Sequence, residues 1–90
     1  GIDNQKKNDK IKCWTENGRI CIEVSDFYRG KEFRLQITDL SGRVIGMEDC
    51  IVDSYRLLSE TILSMPGAYF IQVIDKETDV TVLQTRCIAN

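Results

Sequence analysis

The chain has 90 residues, a formal charge of −2 and no histidine. This length allows one domain with a small core, and an apolar fraction of 42% is typical of a folded chain. The near-neutral charge gives no basic face for nucleic acid, and no stretch is long and apolar enough to approach a membrane span. Because the chain has no imidazole, Ser-His and Cys-His nucleophile pairs are excluded.

The N-terminal part divides into a tail and a hairpin. Residues 1–10 are polar, and their lysines have no apolar partners, which predicts a disordered, solvated tail. Asn17 and Gly18 then stand between two alternating runs, which predicts a two-residue hairpin turn with positive φ at both positions. This loop pairs Glu16 with Arg19 and places Trp14 and Cys21 on one face. The other face collects the apolar set Ile11, Cys13, Ile20, Ile22 and Val24.

The segment after the hairpin, residues 25–32, contains Phe27, Tyr28 and Arg29. Aromatic residues and arginine are enriched in binding hot spots, so these three residues form a possible partner-binding loop. The alternative, which we favour, is that the aromatic residues cap one end of the core.

A second hairpin is predicted around the turn Leu-Ser-Gly. Residues 33–38 alternate apolar and polar side chains, which is typical of a half-buried strand. With Gly42 in the left-handed region of a three-residue turn, Asp39 faces Arg43. In this register Ile45 and Met47 join the apolar face of the preceding strand.

The last third of the chain is predicted to hold three strands. Residues 52–65 have both helical spacing and strand-like composition, and we interpret them as a short strand. Pro66 and Gly67 suit the central positions of a type II turn, which ends that strand and starts the next. Residues 68–75 are apolar on both faces, as expected inside a sheet, and a polar turn leads to a final strand from Val80 to about Ile88 of undetermined register.

Six to seven short strands without room for crossover helices predict an all-β fold. We expect an antiparallel, immunoglobulin-like β-sandwich formed by a single domain, residues 11–90.

The four cysteines could be free thiols or form disulfides. Their spacing does not fit a structural zinc site, and the hairpin register places Cys13 and Cys21 on opposite faces. If a bridge forms, Cys50 with Cys87, on late strands, is the easiest pair to accommodate. Asp75, Glu77 and Asp79 carry calcium-type oxygen ligands, but no glycine bends their loop. We therefore expect no metal, no cofactor and no catalytic residue.

Two stretches, RLQITDLSGRVI and ILSMPGAYFIQVID, resemble the C-terminal sorting domains of the Por-type (type IX) secretion system. The resemblance covers residues 33–87 and is carried by Asp39, Gly42, Arg43, Gly67 and Tyr69. These stretches also resemble small exported immunoglobulin-like or fibronectin-III-like domains of unknown function from Gram-negative bacteria.

The resemblance implies a periplasmic, outer-membrane-associated or extracellular location and no known activity. The leading hypothesis is a non-enzymatic, exported β-sandwich domain of the cell envelope that acts through a protein or surface partner. The alternative is a C-terminal sorting module that targets a larger secreted protein. Neither hypothesis involves nucleic acid or a transmembrane segment.

Overall fold

The computed structural model describes residues 11–90, and the tail predicted for residues 1–10 lies outside this range. Within residues 11–90 seven strands follow one another: β1 (Ile11–Glu16), β2 (Arg19–Val24), β3 (Glu32–Asp39), β4 (Val44–Ile51), β5 (Arg56–Ile62), β6 (Gly67–Asp75) and β7 (Val80–Ala89). A 3₁₀ turn, Asp26–Tyr28, lies between β2 and β3. Within the described range no helix is long and apolar enough to cross a membrane.

The strands form two antiparallel sheets, with the orders β1-β2-β5 and β4-β3-β6-β7. This architecture confirms the predicted antiparallel β-sandwich, because both sheets contribute their inner faces to one core. In immunoglobulin constant domains the fourth strand joins the sheet of the first, second and fifth strands. Here β4 pairs with β3 instead, so the larger sheet has four strands.

The first hairpin has the predicted register. Glu16 pairs with Arg19, and the turn residues Asn17 and Gly18 have φ of 53° and 77°. The predicted inner face is also confirmed, since Ile20 and Ile22 are almost fully buried. Each large apolar side chain buried in this way contributes about 1.5–3 kcal/mol to folding.

The central strands β3 and β6 form the middle of the core. Phe33, Leu35 and Ile37 of β3 are buried, as the alternation predicts. Leu35 pairs with Val73 of β6, and Ile37 pairs with Ile71. Because β6 is hydrogen-bonded to β3 on one side and to β7 on the other, it is an interior strand of its sheet.

The prediction that Ile45 and Met47 both lie on the inner face of β4 is confirmed for Ile45 and wrong for Met47, because β4 contains a β-bulge. Thr38 pairs with Val44 while Ile37 pairs with Gly46, so Ile45 has no partner across the ladder. Ile45 packs against the core as predicted, but the extra residue reverses the side-chain alternation that follows it. Met47 therefore points outward and is 54% exposed.

The strand β5 confirms the interpretation of residues 52–65 and is irregular against β2. Arg19 pairs with Ile62 whereas Cys21 pairs with Leu58, so β5 has extra residues at this point. The buried Ser59 fills the irregularity, because its hydroxyl accepts a hydrogen bond from the Ile20 amide (3.0 Å) and donates one to the Thr61 carbonyl (2.7 Å). The side chain thus replaces the missing ladder contacts.

The connection from β5 to β6 differs from a type II turn. Gly67 has a φ of +139°, well beyond the ~80° of the third turn position, and it already begins β6. The carbonyl of Met65 accepts a 2.6 Å hydrogen bond from the hydroxyl of Tyr69. A tyrosine that binds the backbone just upstream of its strand is the tyrosine corner of β-sandwich domains.

Side chains connect the two sheets along both open sides of the sandwich. On the β4–β5 side, the Glu48 carboxylate accepts hydrogen bonds from the amides of Glu60 (2.9 Å) and Thr61 (2.8 Å). On the β1–β7 side, the Thr15 hydroxyl donates a 2.7 Å hydrogen bond to the Ile88 carbonyl. These contacts satisfy part of the edge backbone that would otherwise be open to pairing with another chain.

Candidate interaction site

Two clefts lie at opposite ends of the sandwich, at the two ends of β3. The charged cleft, at the Glu32 end, has a volume of about 590 Å³ and is lined by Arg29, Gly30, Lys31, Glu32, Lys76 and Glu77. The apolar cleft, at the Asp39 end, has a volume of about 550 Å³. Its walls are the β3–β4 turn and the β5–β6 connection.

The predicted partner-binding loop borders the charged cleft, and the structure separates its three residues. Tyr28 is buried and packs edge-on against Phe33, with ring centroids 5.4 Å apart, so its ring covers the end of the core. Phe27 is 64% exposed and packs edge-on against Tyr28. Arg29 forms a 2.9 Å ion pair with Asp26 on the surface. A partner role for Phe27 and Arg29 stays a prediction.

The cations of the charged cleft are paired with carboxylates. Lys76 contacts Asp49 at 2.8 Å and Glu32 at 3.3 Å, and Arg34 contacts Asp49 at 3.0 Å. Hydrogen bonds from Arg34 and Lys76 lower the pKa of Asp49 because they stabilise its charged form. The network is balanced internally, so it offers a poor surface for an anionic ligand.

The loop with the calcium-type ligands Asp75, Glu77 and Asp79 holds a lysine side chain, that of Lys31, next to its carboxylates. The Lys31 ammonium lies 3.6 Å from both Asp75 and Glu77. Asp75 also accepts a hydrogen bond from the Glu77 amide, and Asp79 has a left-handed φ of 62°. Within residues 11–90, no group of three cysteines or carboxylates is arranged to hold a metal ion.

One wall of the apolar cleft is a tightly hydrogen-bonded turn. Gly42 has the predicted left-handed φ (+91°), and the Asp39 amide bonds to the Arg43 carbonyl. A carboxylate oxygen of Asp39 accepts hydrogen bonds from the Ser41 amide (2.9 Å), the Ser41 hydroxyl (2.6 Å) and the Arg43 amide (3.0 Å). These bonds lower the pKa of Asp39, led by that from the Ser41 hydroxyl.

The rim of this cleft exposes three large apolar side chains. Leu40 is 66% exposed, Ile62 58% and Met65 68%. Because Asp39, Ser41 and Arg43 already bond to one another, the cleft is suited to bury an apolar group rather than to recognise a polar one. Sequence reasoning assigned no role to these three residues, although Leu40 and Met65 occupy turns, where an apolar side chain is easily exposed.

The Asp39 turn makes the stability of the domain depend on pH. Because its folded pKa lies below its unfolded value, ionised Asp39 stabilises the fold above about pH 4, and this contribution is lost as pH falls through the lowered folded pKa. We expect Asp39→Asn to lower Tm at about pH 6 and to lower it less at about pH 2. Thermal unfolding across this range tests the prediction, with the exposed Asp53→Asn as control. A Tm difference independent of pH would contradict it.

The structure does not bring Cys50 and Cys87 together. They lie on β4 and β7, the two outer strands of the larger sheet, with β3 and β6 between them. Three strand spacings of about 4.8 Å separate them, which is far beyond the reach of a disulfide. The predicted Cys50–Cys87 bridge is therefore wrong. As predicted, Cys13 and Cys21 lie on opposite faces of the smaller sheet. Cys13 pairs with Ile22 on the inner face, and Cys21 pairs with Trp14 on the outer face.

The residues that carry the resemblance to sorting domains have structural roles here. Asp39, Gly42 and Arg43 form the β3–β4 turn, while Gly67 and Tyr69 form the start of β6 and its tyrosine corner. No known family profile matches the chain, and no curated protein matches it significantly. The resemblance to sorting domains and to small exported domains thus stays a prediction from the residues themselves.

Proposed function

We propose that this protein is a non-enzymatic, exported β-sandwich domain of the cell envelope that binds a protein partner at the apolar cleft. One observation carries the proposed site: Leu40, Ile62 and Met65 are each more than half exposed around a single concave surface. Apolar side chains clustered in this way mark interaction sites more often than scattered ones do. Export and the envelope location rest on the resemblance of residues 33–87.

The proposed partner presents an apolar side chain, on a loop or extended segment, that enters the apolar cleft. A volume of about 550 Å³ is within the range of pockets that enclose an organic group. Burial of the rim residues would supply the affinity, since each large apolar side chain is worth about 1.5–3 kcal/mol when fully removed from water. The buried Tyr69 stiffens the floor through its bond to Met65, which reduces the ordering needed on binding.

The two ends of the sandwich offer a matched pair of variants. Met65 at the apolar cleft and Phe27 at the charged end are 68% and 64% exposed, so replacing either with serine removes little buried surface. The immobilised domain and both variants would be incubated with a solubilised envelope fraction of the cells that produce the protein, and the retained proteins would be quantified.

We expect Met65→Ser to reduce retention of a specific protein about tenfold or more, and Phe27→Ser to leave it unchanged. Loss with Phe27→Ser alone would move the interface to the loop of residues 25–32 and overturn the assigned site. If the Met65→Ser and Phe27→Ser variants retain equal amounts of this protein, the assigned site is also overturned. Saturable turnover of a substrate, abolished by a single carboxylate or cysteine substitution, would contradict the non-enzymatic role.

A further inference from the structure

Two cysteines meet on the β1–β7 side of the sandwich. The sulfur atoms of Cys13 and Cys87 are 3.6 Å apart, although 74 residues separate them in the chain. Cys87 is buried and Cys13 is partly buried. Both are free thiols on outer strands, and these strands belong to different sheets.

The sheet registers hold each sulfur in place. Cys13 pairs with Ile22 of β2, and Cys87 pairs with Tyr69 of β6, so both side chains lie on inner faces next to buried residues. Beside them, the hydrogen bond from Thr15 to the Ile88 carbonyl connects the same two strands. The contact between the sulfurs therefore belongs to the packing of the sandwich and does not depend on a loop.

We propose that Cys13 and Cys87 form a dithiol–disulfide site whose oxidation links the two sheets covalently. The oxidant is a small-molecule disulfide. One cysteine thiolate attacks it, forming a mixed disulfide and releasing one thiol; the other thiolate then attacks the protein sulfur of the mixed disulfide and releases the second thiol. The protein loses two electrons and two protons, and the small-molecule disulfide gains them as two thiols.

The two thiols interact at this contact, and either of them can donate the hydrogen bond. With Cys13 as the donor, the hydrogen bond stabilises the Cys87 thiolate and lowers the pKa of Cys87. The same hydrogen bond, together with burial, raises the pKa of Cys13. Whichever thiol loses its proton is the first nucleophile, and the other cysteine resolves the mixed disulfide. A shift of about 1.6 Å brings the sulfurs from contact to bonding distance.

The other two cysteines lie away from this contact. Cys21 lies on the outer face of the smaller sheet, opposite Trp14, and has no exposed surface. Cys50 is on β4, at the far edge of the larger sheet. Neither lies across the β1–β7 side, so the site is selective for one of the six possible pairings.

Trypsin separates all four cysteines, which makes the pairing directly measurable. Cleavage after lysine and arginine places Cys13 in residues 13–19, Cys21 in 20–29, Cys50 in 44–56 and Cys87 in 87–90. The folded protein would be oxidised with oxidised glutathione, its remaining thiols blocked in acid, and the digest analysed by mass spectrometry.

We expect a cross-linked species of residues 13–19 with 87–90, and blocking reagent on Cys21 and Cys50. Oxidation should raise Tm by about 10 °C, because the bond closes a loop that spans most of the domain. Cys50→Ser should retain both effects and Cys87→Ser should lose both. Equal blocking of all four thiols, or a dominant cross-link through Cys21 or Cys50, would overturn the site. The outcome is independent of partner binding at the apolar cleft.

Discussion

Replacement of Tyr69 with alanine is expected to lower the free energy of unfolding by about 3–5 kcal/mol, the usual cost of removing a buried aromatic side chain. The Tyr69 ring is 6% exposed and belongs to the core cluster, where it faces Cys87 across the β6–β7 ladder and Asp39 across the β3–β6 ladder. Its loss would leave a cavity between the core and the apolar cleft. Urea unfolding of both proteins, with equal slopes, measures the difference.

Tyr69→Phe separates the ring from its hydroxyl. The ring stays in the core, whereas the Met65 carbonyl loses the 2.6 Å hydrogen bond that forms the tyrosine corner. We expect a loss of about 1 kcal/mol, the net worth of one intramolecular hydrogen bond. A near-zero effect of the alanine variant would mean that residues 68–75 face a partner instead of the core. A phenylalanine variant as unstable as alanine would mean that the hydroxyl, rather than the ring, dominates.

The elements that were predictable are those whose signals are local. The Asn17-Gly18 turn allows one loop length, and the pairing of Glu16 with Arg19 agrees with the burial of Ile20 and Ile22, so the register follows from the sequence. The register of β4 also has a local signal in the sequence. Gly46 stands inside an otherwise apolar strand, where an isolated glycine indicates a bulge or a close approach of another chain segment.

Contacts between the sheets were beyond sequence reasoning. The strand pattern places Cys13 and Cys87 in the first and last strands, but it does not say that β1 and β7 are outer strands that meet on the same open side. The apolar cleft could be predicted from the sequence only in part. In a chain of antiparallel strands every second connection lies at the same end, so Leu40 and Met65 could have been placed together, but the depth of the cleft depends on how the sheets pack.

Gly46→Ala is expected to lower the free energy of unfolding by about 3 kcal/mol, at the upper end for adding one methyl group to a packed site. A Cβ at Gly46 would lie 2.5 Å from the Thr61 hydroxyl oxygen and 2.9 Å from its methyl carbon. Threonine is branched at Cβ and cannot turn both groups away, so β4 and β5 would have to separate. Such a separation would also weaken the two hydrogen bonds of Glu48 to the β5 backbone.

Thr61→Ala provides the test of this mechanism through a double-mutant cycle. It removes the two closest atoms and leaves only the Thr61 Cβ, 3.1 Å from the added methyl group, which a shift of a few tenths of an ångström can relieve. We expect Thr61→Ala to restore about 2 kcal/mol of the stability lost in Gly46→Ala, measured by urea unfolding of the wild type, both single variants and the double variant. Additive effects would show that the glycine is required for its backbone conformation in the bulge and not for the approach of β5. The size of the coupling therefore reports how closely the two sheets are held on the β4–β5 side.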